Sequence, residues 1–96
     1  MSVELIPVNK NQLSLVGDLT MDTVPAIWQS LDASFNSERN YILDLVGVSH
    51  CDSAGLSLLI YWIEQARKQQ VTLQFKHAPE QLLALAKVSE VDALFQ

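Results

Sequence analysis

His50-Cys51-Asp52-Ser53-Ala54-Gly55-Leu56 is the stretch whose reading decides the fold. It reads as the end of a buried strand, a tight polar turn and the opening of a hydrophobic helix. Upstream, Tyr41-Ile42-Leu43-Asp44-Leu45 has the apolar character of a strand covered on both faces. Downstream, the run from Leu56 to Ile63 is too apolar for an ordinary surface helix. Between them, Asp52 or Ser53 serves as N-cap, its side-chain oxygen accepting from backbone N–H groups that the helix leaves unpaired. A hydroxyl and a carboxylate there sit where a helix N-terminus concentrates positive potential, which suits a phosphate acceptor or a partner contact. Gly55 allows close approach to a neighbouring element.

Working outward, Val3 to Val8 and Gln12 to Val16 read as two strands joined by the polar turn Asn9-Lys10-Asn11. Gly17-Asp18 ends the second of them. Thr20 or Asp22 caps a first helix, with Pro25 in its first turn, where a missing N–H is harmless. Val24, Ile27, Trp28, Leu31 and Phe35 follow at helical spacing. Asn36-Ser37-Glu38-Arg39-Asn40 is a polar loop, and the second helix runs from about Asp52 to Gln69. Val71, Leu73 and Phe75 alternate on one face of a strand. After Ala78-Pro79, Leu82, Leu83, Leu85, Ala86 and Val88 form a third helix, and Val91, Leu94 and Phe95 a short final turn. The order β-β-α-β-α-β-α makes this an α/β chain with at least one right-handed parallel crossover.

At 96 residues the chain is read as one domain, 1–96, burying roughly 65% of its unfolded surface in a modest core. A net charge of −5 argues against a nucleic-acid footprint and against adhesion to anionic lipid. One cysteine forms no intrachain disulfide, which fits a reducing compartment, and Cys51, His50 and His77 are too few for a metal site. Met1-Ser2-Val3-Glu4 does not read as a secretory signal, and the apolar run Leu58 to Ile63 falls far short of the ~20 residues of a membrane span.

The second helix carries two apolar stripes. Leu56, Leu59, Ile60, Ile63 and Ala66 recur at i, i+3, i+4 and i+7, enough to pack on a sheet. Leu58, Tyr61 and Trp62 fall on a second stripe with Ala54 and Gln65. Either another helix of the same domain covers it, or it is an exposed aromatic patch of the kind that marks protein contacts. A nucleophile reading, with Cys51 or Ser53 attacking and His50 as base, lacks support because neighbours on a strand end point in different directions. The three glycines are far apart and form no phosphate loop.

The whole arrangement resembles the STAS domain. The resemblance rests on the β-β-α-β-α-β-α order, on Asp52-Ser53-Ala54-Gly55-Leu56 opening the second long helix, and on Gly17-Asp18-Leu19 after the second strand. It implies the STAS (SpoIIAA-like) fold, a mixed four-stranded sheet with helices packed on it. Pro25 with Trp28, Gly55-Leu56-Ser57-Leu58-Leu59, Ile63, Ala66-Arg67-Lys68-Gln69 and Leu85-Ala86-Lys87 are similar to the branch that serves bacterial phospholipid ABC transporters. That branch implies a non-enzymatic cytoplasmic subunit without cofactor or metal. It would be peripheral at the inner membrane and would bind and regulate the transporter's ATPase, beside permease and periplasmic lipid-binding subunits that maintain outer-membrane lipid asymmetry. No nucleic acid and no direct membrane insertion are implied. The expected contact residues are Asp52, Ser53, Ala54, Leu58, Tyr61, Trp62 and Gln65. The alternative branch is the anti-sigma-factor antagonist, in which the hydroxyl after the aspartate, here Ser53, is phosphorylated by a partner kinase. Thr20 departs from the acid common after the Gly-acidic-aliphatic element, and Ser53 stands where the transporter branch tends to have threonine.

Overall fold

The computed structural model describes residues 2–31, 35 and 38–95. Four strands form one mixed sheet, ordered as they occur in the chain. Strand β1 (Val3–Pro7) runs antiparallel to β2 (Gln12–Leu19). Strands β2, β3 (Asn40–Cys51) and β4 (Thr72–Lys76) are mutually parallel. The β1–β2 hairpin closes through Val8 and Asn9 N–H groups on the Gln12 carbonyl, at 2.8 and 3.2 Å. Asn9 Oδ1 accepts from Asn11 N at 3.0 Å, an Asx turn that explains the polar sequence there.

Two parallel connections, β2 to β3 and β3 to β4, step across the sheet in the same direction. Right-handed crossovers that step the same way place their helices on the same face. Helices α1 (Val24–Ile27), α2 (Ser53–Lys68) and α3 (Glu80–Val88) accordingly share one buried cluster with the inward side chains of the sheet, Leu13, Leu15, Leu43 and Leu45 among them. The opposite face is open. Glu4, Ile6, Val16 and Val46 are exposed there, and Ser14, Ile42 and Asp44 are half-buried. The expectation that Tyr41–Leu45 is covered on both faces is therefore corrected. Tyr41, Leu43 and Leu45 are buried, whereas Ile42 and Asp44 are shielded only sideways, because β3 is flanked by β2 and β4.

Three further expectations change. Strand β2 does not stop at Gly17-Asp18 but reaches Leu19. Gly17 sits at φ +115, which an L side chain rarely adopts, and the β2–β3 register slips between Gly17 and Asp18 and between Ser14 and Val16. Strand β3 continues to Cys51 through those irregularities. The first helix is one turn, Val24–Ile27, followed by turn structure to Leu31; residues 32–34 and 36–37 lie outside the described residues. Its N-cap position is Thr23, not Thr20 or Asp22. The Thr23 hydroxyl donates to the Asp18 carbonyl at 2.6 Å and accepts from Thr20 N at 3.1 Å, so it ties the loop together rather than capping the helix.

The later elements follow the expected bounds. Gln69 ends α2 with its N–H on the Ala66 carbonyl at 3.0 Å, and Arg67 and Lys68 in the last turn complement the helix dipole. Val71, just before β4, is buried, and Leu73 and Phe75 are half-buried on the inner face of β4. The final 3-10 turn, Asp92–Phe95, lays Phe95 against Phe75 with ring centroids 5.0 Å apart.

Candidate docking site

The polar turn at the top of β3 is built by Asp52. Its Oδ1 accepts from Ala54 N at 2.9 Å and Gly55 N at 3.3 Å, which caps α2. Its Oδ2 accepts from Met21 N at 3.0 Å, across 31 positions of sequence. One carboxylate thus fixes both the helix start and the β2–α1 loop. A second constraint comes from Gly55. A Cβ there would run into the Leu19 carbonyl oxygen and the Leu19 side chain, so only glycine lets α2 start this close to β2.

Ser53 is exposed on the first turn of α2, and Ser57, one turn on, is exposed as well with its hydroxyl on the Ser53 carbonyl at 3.0 Å. Along the flank of α2 facing α1 come Ala54, Tyr61 and Gln65, each half-buried. The Tyr61 ring stacks on Trp28 with centroids 4.9 Å apart. Met21, 70% exposed, stands beside this tip through its bond to Asp52. Sequence reasoning missed Met21, because a bond to a residue 31 positions away has no local signature.

Leu58 and Trp62 are not part of any surface. Both are 0% exposed. The Trp62 indole N–H donates to the Trp28 carbonyl at 2.9 Å, so the α1 segment lies over the second stripe and takes it into the core. Their expected role as contact residues is corrected to a packing role. Ser53, Ala54, Tyr61 and Gln65 retain accessible surface, and Asp52 is committed to three backbone N–H groups.

The groups of the nucleophile reading are held apart. Cys51 is buried, with its N–H on Gln81 Oε1 at 3.3 Å; burial, and next the neighbouring Asp52 charge, push its thiol pKa up. His50 is exposed and faces the open side of the sheet, its Nδ1 3.2 Å from Asp18 Oδ1. Adjacent strand residues point to opposite faces, so His50 and Cys51 form no base–nucleophile pair. His77, in the left-handed region at φ 57, pairs with Asp44 at 2.9 Å. That hydrogen bond, and then one from Val46 N, hold the Asp44 carboxyl below its ordinary value. Among the described residues there is no group of three or more potential metal ligands and no helix long and apolar enough to cross a membrane.

The family described as "Mlab, STAS domain" matches residues 5–96. The intermembrane phospholipid transport system binding protein MlaB of Haemophilus influenzae is 32% identical over 82 residues, covering 81% of this chain and 78% of that protein. Its namesake in Escherichia coli is 28% identical over 81 residues, covering 84% and 81%. The unphosphorylated anti-sigma factor antagonist SpoIIAA matches with a TM-score of 0.75 at 13% identity, over 98% of this chain and 85% of that one. The phosphorylated form of Bacillus SpoIIAA gives 0.72, also at 13% identity, over 98% and 88%. At such identity those two structures speak for the fold, the one expected from the order of elements. Family match and sequence relatives together place the chain: it belongs to the MlaB-type STAS domain family.

Proposed function

We propose that this chain is a non-enzymatic accessory subunit of an Mla-type phospholipid ABC transporter, docking on the transporter's MlaF-like ATPase through the tip of α2. Its place would be cytoplasmic and peripheral at the inner membrane, in a complex with permease and periplasmic lipid-binding subunits that maintains outer-membrane lipid asymmetry. The names of the two relatives support the transport system. The observation that carries the docking surface is an exposed Ser53 on a rigid corner, with the half-exposed Tyr61–Trp28 stack about two turns further along the same helix. The corner is pre-organised by Asp52 and Gly55, so little ordering entropy opposes binding. A stacked aromatic pair is the anchor type that dominates interface energetics.

Co-expression with the ATPase of such a transporter tests the reading. The two proteins should co-purify, and ATPase activity should change on removal of this chain. Isolation instead with a serine kinase would speak for the antagonist reading, in which Ser53 is the phosphoacceptor. That second reading has one observation in its favour, the exposed Ser53 hydroxyl on the first turn of a sixteen-residue helix. Intact mass of the chain from native cells, with and without phosphatase, separates the two.

A further inference from the structure

The two outer edges of the sheet are unlike. Strand β1 ends in Pro7, which has no N–H to donate, a residue that blunts an edge. Strand β4 has no proline, and its five pairs with β3, Asn40↔Thr72 through Asp44↔Lys76, run without a register shift. Thr72 N–H donates to the Arg39 carbonyl at 2.9 Å, toward β3. In a parallel strand, alternate residues turn their N–H and C=O to opposite sides. The backbone groups of Leu73 and Phe75 therefore face away from β3, along the outer edge of the sheet.

A groove follows that edge. Two shallow depressions of about 420 and 370 Å³ meet at Leu94, one lined by Ile42, Gln74 and Lys76, the other by Ile63, Arg67 and Ala93. Leu94 is 36% exposed between them. The chain has eleven acidic and six basic residues. Yet among the described residues the groove lining includes Arg67 and Lys76 and no acidic side chain. The lining side chains are thus net basic, opposite in sign to the net charge of the chain, and the Asp44 carboxylate lies close enough to Lys76 to interact with it.

We infer that β4 accepts an extended acidic segment of a partner polypeptide as a fifth strand, with apolar side chains against Leu94 and Ile63 and carboxylates toward Arg67 and Lys76. Main-chain bonds to Leu73 and Phe75 supply affinity, and the charges and the Leu94 step supply direction and selectivity. A second copy of this chain is the poorer occupant. Antiparallel β4–β4 pairing brings the basic ends of the two grooves together, and the chains carry −5 each.

The test uses the full chain and a synthetic peptide of alternating valine and threonine with glutamate at both ends. Three relatives of that peptide complete the set: one N-methylated on the backbone nitrogens that would face β4, one with lysine in place of glutamate, and one scrambled. Hydrogen exchange at the Leu73 and Phe75 amides should slow at least tenfold with the acidic peptide. The lysine peptide, and the variants Leu94→Glu and Lys76→Glu, should bind about tenfold more weakly. Exchange at core β3 amides confirms that both variants fold. Equal binding of the N-methylated or scrambled peptide would overturn the inference. So would protection outside β4, no binding at millimolar peptide, or concentration-dependent self-association that protects the same two amides without peptide.

Discussion

The indole N–H of Trp62 donates to the backbone carbonyl of Trp28 at 2.9 Å, joining α2 to the segment that crosses it. The bond lets a polar atom of the largest core side chain go into an apolar interior at little cost, since a buried donor without an acceptor is strongly penalised. Trp62→Ala should therefore act on stability, lowering the unfolding free energy by about 3–5 kcal/mol in urea titrations. Trp62→Phe keeps most of the volume but leaves the Trp28 carbonyl without its donor, for a loss of about 1–3 kcal/mol. A Trp62→Ala chain of undiminished stability would show that the indole is not packed as described.

Gly55 tests the close contact at the head of α2. In Gly55→Ala the new methyl meets the Leu19 backbone carbonyl, which cannot move without disturbing the end of β2. The expected loss is about 1–3 kcal/mol, although alanine is the better helix former. A stabilised Gly55→Ala protein would mean that the helix does not start against Leu19.

Asp52 holds two segments with one carboxylate. Asp52→Ala should cost about 2 kcal/mol through the lost cap and the lost Met21 bond. Exchange of the Met21 amide should also accelerate while core amides are little changed. Asp52→Asn retains one carbonyl acceptor and should recover the helix cap but not the Met21 bond, because its NH2 cannot accept from Met21 N–H. If Met21 exchange is unaffected in Asp52→Ala, the bridge between cap and loop is absent.

The Asp44–His77 pair gives a pH dependence with a defined sign. The folded pKa of Asp44 lies below its ordinary 3.8, chiefly through the His77 hydrogen bond. Its contribution to stability is thus fully present above that value and disappears as pH falls through the lower folded pKa. His77→Ala should move the Asp44 titration, followed by carboxyl carbon shifts, upward toward 3.8 and lessen the acid-side loss of stability. An unmoved titration would leave the bond without electrostatic effect.

Much of this fold could be read because local chemistry agreed with the final structure. Asp52 and Gln69 bound α2 within a residue of the expected limits, since caps are sequence-local devices. The alternation of Val71, Leu73 and Phe75 placed β4, and Pro79 preceded α3. What failed was non-local. Tyr41–Leu45 looks two-sided because a central strand is shielded by its neighbours even on an open face. Gly17 reads as a strand end but acts as a bulge, which becomes visible only once β3 is paired beside it. The second stripe of α2 could belong to core or surface until the path of residues 24–31 was known, and that path took Leu58 and Trp62 inside while leaving Ser53 and part of Tyr61 outside.

The docking tip is tested most directly by the affinity of the ATPase for two variants of this chain. Ser53→Glu adds a carboxylate at the first turn of α2, where the helix dipole favours it, so the fold is preserved while the proposed contact gains bulk and charge. Val46→Glu alters a residue 68% exposed on the open sheet face, away from the tip. Calorimetry should give at least about tenfold weaker binding for Ser53→Glu, some 1.4 kcal/mol, and unchanged binding for Val46→Glu. Unchanged binding of Ser53→Glu together with loss in Val46→Glu would place the partner on the sheet face and contradict the account.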